Sequence, residues 1–164
     1  MSTFVSVGNA TQSFSRLLDA VIDIAPTLPQ PVIFQYGNNF FLEKDFESYS
    51  FVDMEQFKQL VYDSELLILH AGAGSVIHAV NLGKIPIVVP RRMEKGEHID
   101  NHQVEFSKAL GEMNKIVVVD EVSQFGPAIK RALHMQKENY NTAKKSKMLQ
   151  LIKESLNKYN ENYG

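Results

Sequence analysis

The chain of 164 residues contains no cysteine. That excludes disulfides, thiol nucleophiles and thiolate metal sites, and it fits a reducing compartment. No apolar run approaches the ~20 residues needed to span a bilayer. The opening Met1-Ser2-Thr3-Phe4-Val5 lacks a basic segment followed by a long apolar stretch, so no signal peptide is expected. Positive and negative side chains nearly balance, 17 Lys and Arg against 19 Asp and Glu. The formal net charge of −2 argues against a broad nucleic-acid surface, and no nucleic-acid partner is expected. No Gly-Lys-Ser or Gly-Lys-Thr occurs, so a P-loop is excluded.

What remains is the composition of a folded domain. Hydrophobic residues make up 44% and charged residues 22%, and the length fits one domain with a sizeable core. Phe4–Val7 reads as a strand ending at Gly8. Phe14, Leu17, Leu18, Val21 and Ile22 recur at helical spacing, and the Pro26 to Pro31 stretch ends that helix. Pro31–Tyr36 reads as a second strand, closed by Gly37-Asn38-Asn39. Phe40–Leu42 and Tyr49–Val52 are weaker strand candidates. Asp53 with Gln56 has the spacing of a capping box opening a helix through Tyr62. Strand 65–69, helix 74–82 and strand 85–89 follow. A polar loop from Arg91 to His98 leads to a helix near Asn101–Gly111, a strand at Lys115–Val119 and a helix over Val122–Gln136. Apolar strands alternating with helices predict an α/β fold: a Rossmann-like parallel sheet with helices on both faces. Ligands in such sheets bind at the carboxyl ends of the strands, where Gly8, Gly37, His70 and Pro90 fall.

The stretch His70-Ala71-Gly72-Ala73-Gly74-Ser75 sits where a strand hands over to a helix. A helix amino terminus exposes unpaired N–H groups and positive dipole, and glycine lets an anion approach the backbone. Ser75 is placed to cap the helix or to donate to a phosphate oxygen. The pattern therefore suits a phosphate or diphosphate, or simply a tight turn. A nicotinamide site is rejected. The third glycine of the fingerprint is replaced by Ile77, the turn follows a mid-chain strand, and no acidic residue closes a strand near position 90.

The division expected is a Rossmann-like domain over 1–137 and an amphipathic helical tail over 138–164. In the tail, Lys144, Lys145, Lys147, Lys153 and Lys158 interleave with Met148, Leu149, Leu151, Ile152 and Leu156. Such a helix packs on its own domain, or it meets a partner or an anionic membrane surface.

Three motifs carry a resemblance. They are His70-Ala71-Gly72-Ala73-Gly74-Ser75, Leu82-Gly83-Lys84-Ile85-Pro86-Ile87-Val88-Val89-Pro90-Arg91, and Gly96-Glu97-His98-Ile99-Asp100-Asn101-His102-Gln103. In this order and spacing they resemble the C-terminal, donor-binding half of family 28 glycosyltransferases. The chain is most similar to stand-alone subunits of two-component enzymes of exopolysaccharide and capsule synthesis, and to the donor subunit that elongates dolichol-linked sugars. Val5-Ser6-Val7-Gly8, Arg16-Leu17-Leu18 and Gln35-Tyr36-Gly37 also match that family.

The resemblance implies one half of a GT-B fold, gripping a UDP-sugar, and inverting transfer to a polyprenyl-diphosphate-linked acceptor. It implies a membrane-anchored partner for the acceptor half, and a cytoplasmic, peripheral location through that partner. No cofactor is implied. His98 and His102 have an i, i+4 spacing that mimics a metal pair, but the resemblance makes them part of a sugar-facing loop, and no metal is expected.

By the same resemblance Gly72, Ala73, Gly74 and Ser75 hold the diphosphate, with His70 beside it and Gly8 at the neighbouring strand end. Arg91 faces the diphosphate. Glu97 and His98 close over the donor, and Asp100, His102 and Gln103 meet the sugar hydroxyls. One position departs from the family. An acidic residue that usually holds the ribose, three positions after the serine, is His78 here. That substitution leaves open a non-catalytic, accessory subunit. A free-standing epimerase of related fold is disfavoured, since such enzymes need both domains in one chain. No catalytic base is assigned.

Overall fold

The protein is described here by a computed structural model covering residues 2–163. Six parallel strands form one sheet: β1 (Thr3–Ser6), β2 (Val32–Gln35), β3 (Glu47–Tyr49), β4 (Leu66–His70), β5 (Ile87–Val89) and β6 (Val117–Val118). Their order is β3-β2-β1-β4-β5-β6. The helices between them are α1 (Ser15–Ile24), α2 (Met54–Asp63), α3 (Ala73–Asn81), α4 (His102–Glu112) and α5 (Phe125–Tyr163). β1, β2 and β4 are buried along their whole length, because helices cover both faces.

The side chains sort by the strand period of two. Val5, Phe34 and Ile68 pack with Leu17, Leu18 and Val21 of α1 and with Ala128 and Ala132 of α5. Phe4, Ile33, Leu67 and Leu69 point the other way, onto Val61 of α2 and Ala79 of α3. Val88 packs with Val76 of α3 and Ile116, against Phe106 and Leu110 of α4. Each such large side chain contributes roughly 1.5–3 kcal/mol by leaving water.

Strand order reverses between β1 and β4, which pair directly, Ser6 opposite Leu69. Chains leave these two strands in opposite directions, which opens a crevice at their carboxyl ends. β2 adds Gln35 opposite Ser6, and β5 adds Val89 opposite His70. The α/β sheet thus holds as expected.

Four local expectations shift. Phe40–Leu42 is not a strand: Phe40 and Leu42 face solvent, while Phe41 stacks on Tyr36, ring centroids 5.2 Å apart. The strand expected at Tyr49–Val52 lies at Glu47–Tyr49, because Gln35 pairs with Tyr49 and the chain then turns into α2. The strands near 85–89 and 115–119 shorten to Ile87–Val89 and Val117–Val118. The last helix does not stop near Gln136. It runs unbroken to Tyr163, after a 3-10 turn at Val122–Gln124.

Candidate functional site

At the switch point a cavity of about 420 Å³ opens among the carboxyl ends of β1, β2 and β4. Ser6, Gly8, Asn9 and Gln35 form its floor on one side, His70 on the other. Two helix starts close over it: Asp53, Met54 and Phe57 of α2, and Gly74, Ser75 and His78 of α3. A larger hollow of about 840 Å³ lies away from this end, between Glu65, Lys84, Lys115 and the side of α5. It holds neither the glycine turn nor a helix start.

The two helix starts differ. Asp53 caps α2, its carboxylate accepting from the Gln56 N–H at 2.8 Å. At α3 the cap position is Gly72, and no side chain caps the helix. Its first intrahelical bond runs from the Val76 N–H to the Gly72 carbonyl. The N–H groups of Ala73, Gly74 and Ser75 therefore precede the helical ladder, at the positive end of the dipole. Of the two roles open to Ser75, capping falls away, because it lies inside the first turn, half-buried and lining the cavity. A Cβ on Gly74 would meet nothing within 4 Å, so the backbone there is open.

The other two glycines serve a different purpose. A Cβ on Gly8 would lie 2.4 Å from the His70 Nε2, and one on Gly72 would lie 2.3 Å from the same atom. These glycines make room for the imidazole, so the sequence reading of Gly72 as an opening for an anion is corrected: Gly74 is the open one. Gly8 also sits at φ +77°, which favours glycine. Burial pushes the His70 pKa down to about 4, and the charges of Arg91 and His98 add to this. His70 is therefore neutral at pH 7, and its Nδ1 is buried without a hydrogen-bond partner in the protein. A neutral imidazole meets an anion by hydrogen bonding rather than by charge.

Gln35 braces the floor. Its side-chain oxygen accepts from the Ser6 hydroxyl at 2.5 Å, and its amide donates to the Gly8 and Ser50 carbonyls at 3.2 and 2.9 Å. His78 stands one turn after Ser75, beside Phe57 at 6.2 Å between ring centroids. Its Nε2 is buried and unpartnered. The carboxylate that lines the cavity is that of Asp53, not one on α3.

Two of the expected residues are held by the protein itself rather than left free for a ligand. Arg91 is fully buried. Its guanidinium donates to the backbone carbonyls of Gln12, Glu97 and Val7 at 2.7, 3.0 and 2.8 Å, and lies 4.7 Å over the Phe14 ring. Burial holds its pKa at about 10, below the usual value but still charged at pH 7. Arg91 therefore does not face a diphosphate; it ties the end of β5 to the end of β1. Nor does Glu97 close over a ligand. Its carboxylate takes a two-pronged bond from Arg16, at 2.7 and 3.0 Å, and a third from the Arg92 N–H at 3.0 Å.

The remaining four residues form a second cluster beyond β5. Asp100 accepts from the His102 N–H at 3.0 Å and contacts the His98 Nδ1 at 3.1 Å. The His102 backbone bond, with the two histidines beside it, holds the Asp100 carboxyl below its usual range. The Gln103 side-chain oxygen accepts from the Arg91 N–H at 3.1 Å. None of these four lines the switch-point cavity. Gly8, His70, Gly74, Ser75 and His78 are thus brought together, and His98, Asp100, His102 and Gln103 stand apart as a group.

Ser6, Asn9, Gln35, Val52, Asp53, Met54 and Phe57 also line the cavity, with no ligand role expected of them from the sequence. The sequence signal at Asp53 is its cap spacing to Gln56, which says nothing of a ligand. Among the described residues no group of three His, Asp or Glu side chains is placed to hold a metal.

The family model described as glycosyltransferase family 28 C-terminal domain matches residues 2–157. The UDP-N-acetylglucosamine transferase subunit ALG13 of Yarrowia lipolytica is 35% identical over 75 residues, 46% of this chain and 35% of that protein. The UDP-N-acetylglucosamine--N-acetylmuramyl-(pentapeptide) pyrophosphoryl-undecaprenol N-acetylglucosamine transferase of Borreliella burgdorferi is 27% identical over 134 residues, 80% of this chain and 34% of that protein. This chain therefore spans about a third of the length of these curated relatives.

Among solved structures, the kitacinnamycin glycotransferase superposes with a TM-score of 0.65 at 12% identity, over 85% of this chain and 37% of that one. CalG4, the calicheamicin glycosyltransferase, gives 0.58 at 16% identity, over 91% and 41%. At these identities the likeness is one of fold, the Rossmann-like half of GT-B enzymes.

Proposed function

Because the chain belongs to the glycosyltransferase family 28 C-terminal domain family, we propose that it is the donor-binding subunit of a two-component inverting glycosyltransferase. It takes a UDP-sugar and serves transfer to a polyprenyl-diphosphate-linked acceptor, in exopolysaccharide or capsule synthesis. The observation that carries this reading is the uncapped start of α3, with Gly74 open toward the switch-point cavity. There the Ala73, Gly74 and Ser75 N–H groups receive the diphosphate, with His70 alongside as a neutral hydrogen-bonding partner. Both curated relatives carry N-acetylglucosamine transfer in their names, so UDP-N-acetylglucosamine is the first donor to test. The word subunit in the name of one of them supports a partner that brings the acceptor.

In the proposed reaction the acceptor hydroxyl oxygen bonds to the anomeric carbon while the bond from that carbon to the diphosphate breaks. UDP leaves with the electron pair, and the helix start stabilises its charge. The hydroxyl proton passes to a base. His70, with a pKa near 4, is too weak for that task at neutral pH, so the base is assigned to the acceptor side. Asp100, His102 and Gln103 remain the proposed contacts to the sugar, with His98 closing over the donor where it extends past β5.

One observation favours a second reading, a non-catalytic accessory subunit: His78 stands where the resemblance leads one to expect a carboxylate. Calorimetric titration with UDP separates the two. Saturable binding by the chain, lost in Gly74→Trp, is the expected result. The absence of UDP binding both to the chain and to its co-expressed complex with the acceptor subunit would overturn the donor-binding reading.

A further inference from the structure

α5 begins as part of the domain and then leaves it. Ala128 and Ala132 are buried in the core, and Gln136 makes the last bonds to the body, from the Ile85 N–H at 3.2 Å and to the Glu65 carbonyl at 2.8 Å. From Lys137 on, every described side chain is exposed. A helix without tertiary packing is only marginally stable in water. Yet this segment carries Met148, Leu149, Leu151, Ile152 and Leu156, each about half exposed at 49–57%.

These residues are ordered around the axis. At 100° per residue, Met148, Ile152 and Leu156 follow one another at i, i+4 and i+8 along a single stripe. Met148, Leu151, Ile152, Ser155 and Leu156 line one shallow surface hollow. Leu149 widens the stripe on the far side of Leu156. The charges follow the same geometry. Lys158 falls along one edge of the stripe and Lys153 along the other, Lys144 and Lys145 continue the stripe itself one turn before Met148, and Lys147, Glu154 and Glu161 fall on the other side of the helix. Glu154 accepts from Gln150 at 3.2 Å, on that same polar side. Residues 144–158 hold five lysines against one glutamate.

The stripe is short, from Met148 to Leu156. A stable coiled coil with a second copy needs about three or four heptads of apolar seam. Pairing would also set lysine edges against each other without acidic partners. A flat anionic surface fits both features at once. It accepts a short apolar face at shallow depth, and it neutralises lysines on both edges while the acids stay in water. No helix among the described residues is long and apolar enough to cross a membrane.

We propose that residues 144–158 of α5 bind an anionic phospholipid bilayer, lying along its surface with Met148, Ile152 and Leu156 inserted and Lys144, Lys153 and Lys158 at the headgroups. The inference rests on α5 alone and stands whether or not the switch-point cavity binds a nucleotide.

The test is flotation of the full chain with vesicles of phosphatidylcholine, alone or mixed with phosphatidylglycerol, beside sedimentation velocity without lipid. The expected result is association with the mixed vesicles, weakened by salt, and none with phosphatidylcholine alone. The double variant Ile152→Asp/Leu156→Asp loses association while keeping the thermal midpoint, since both positions are exposed. Replacing Lys144, Lys153 and Lys158 by alanine weakens binding about a hundredfold. Equal binding to both vesicle types, or to the wild type and the double variant, overturns the proposal. So does a lipid-free dimer that the double variant dissociates, with no vesicle binding; that outcome makes the stripe a self-association surface.

Discussion

Acidification tests the picture of His70 as an imidazole enclosed between two glycines. The native pKa is about 4, against about 6.5 for an ordinary histidine in an unfolded chain. The depressed value means that the unfolded chain binds the extra proton first as pH falls. Stability from this group is therefore complete above pH ~6.5, declines as pH drops, and is fully lost near the native value, about 4. At pH ~5, roughly one and a half units below the unfolded pKa, the loss is about 2 kcal/mol relative to neutral pH. Other groups titrate in the same window, so the measured quantity is a difference. Urea unfolding of the wild type and of His70→Asn is compared at about pH 7 and pH 5. The variant is less stable at both, but its loss on acidification should be smaller than that of the wild type by about 2 kcal/mol. If the two proteins lose the same stability between those pH values, His70 is not held neutral by burial, and the account of its enclosure is wrong.

Side-chain geometry sets the outcome of three further substitutions. Gly72→Ala drives a Cβ to 2.3 Å from the His70 Nε2 and should lower stability by about 1–3 kcal/mol. Gly74→Ala, which meets nothing within 4 Å, should leave stability unchanged or slightly higher, as thermal melts would show. Glu97→Ala strips Arg16 of its two-pronged carboxylate and leaves the Arg92 N–H unpaired. It should cost about 3–5 kcal/mol in urea unfolding; a loss below about 1 kcal/mol would show that Arg16 re-pairs with water.

Much of the local architecture was legible because it depends on near neighbours. Alternating apolar strands and amphipathic helices follow from burial of one stripe or both faces, and the Asp53 cap follows from the Gln56 N–H three residues on. The crevice at Gly8 and His70 was readable as a set of strand ends. The order β3-β2-β1-β4-β5-β6, which makes it a crevice, is set by pairings between strands far apart in the chain.

The order of residue types is enough to specify a parallel α/β sheet, with a glycine turn entering a helix at one end. Periodicity and glycine are local signals, and they survive without knowledge of the fold. What each polar residue in the motifs does depends on long-range packing. Arg91 and Glu97 read as ligand contacts in sequence, yet carbonyls and an arginine up to 84 positions away consume them. Of the two glycines in the turn, packing of His70 claims Gly72 and leaves Gly74 to the cavity. The amphipathic tail was visible as a pattern of lysines and leucines. That it finds no core to cover was decided by where α5 leaves the sheet, because a stripe is buried only if another element lies against it.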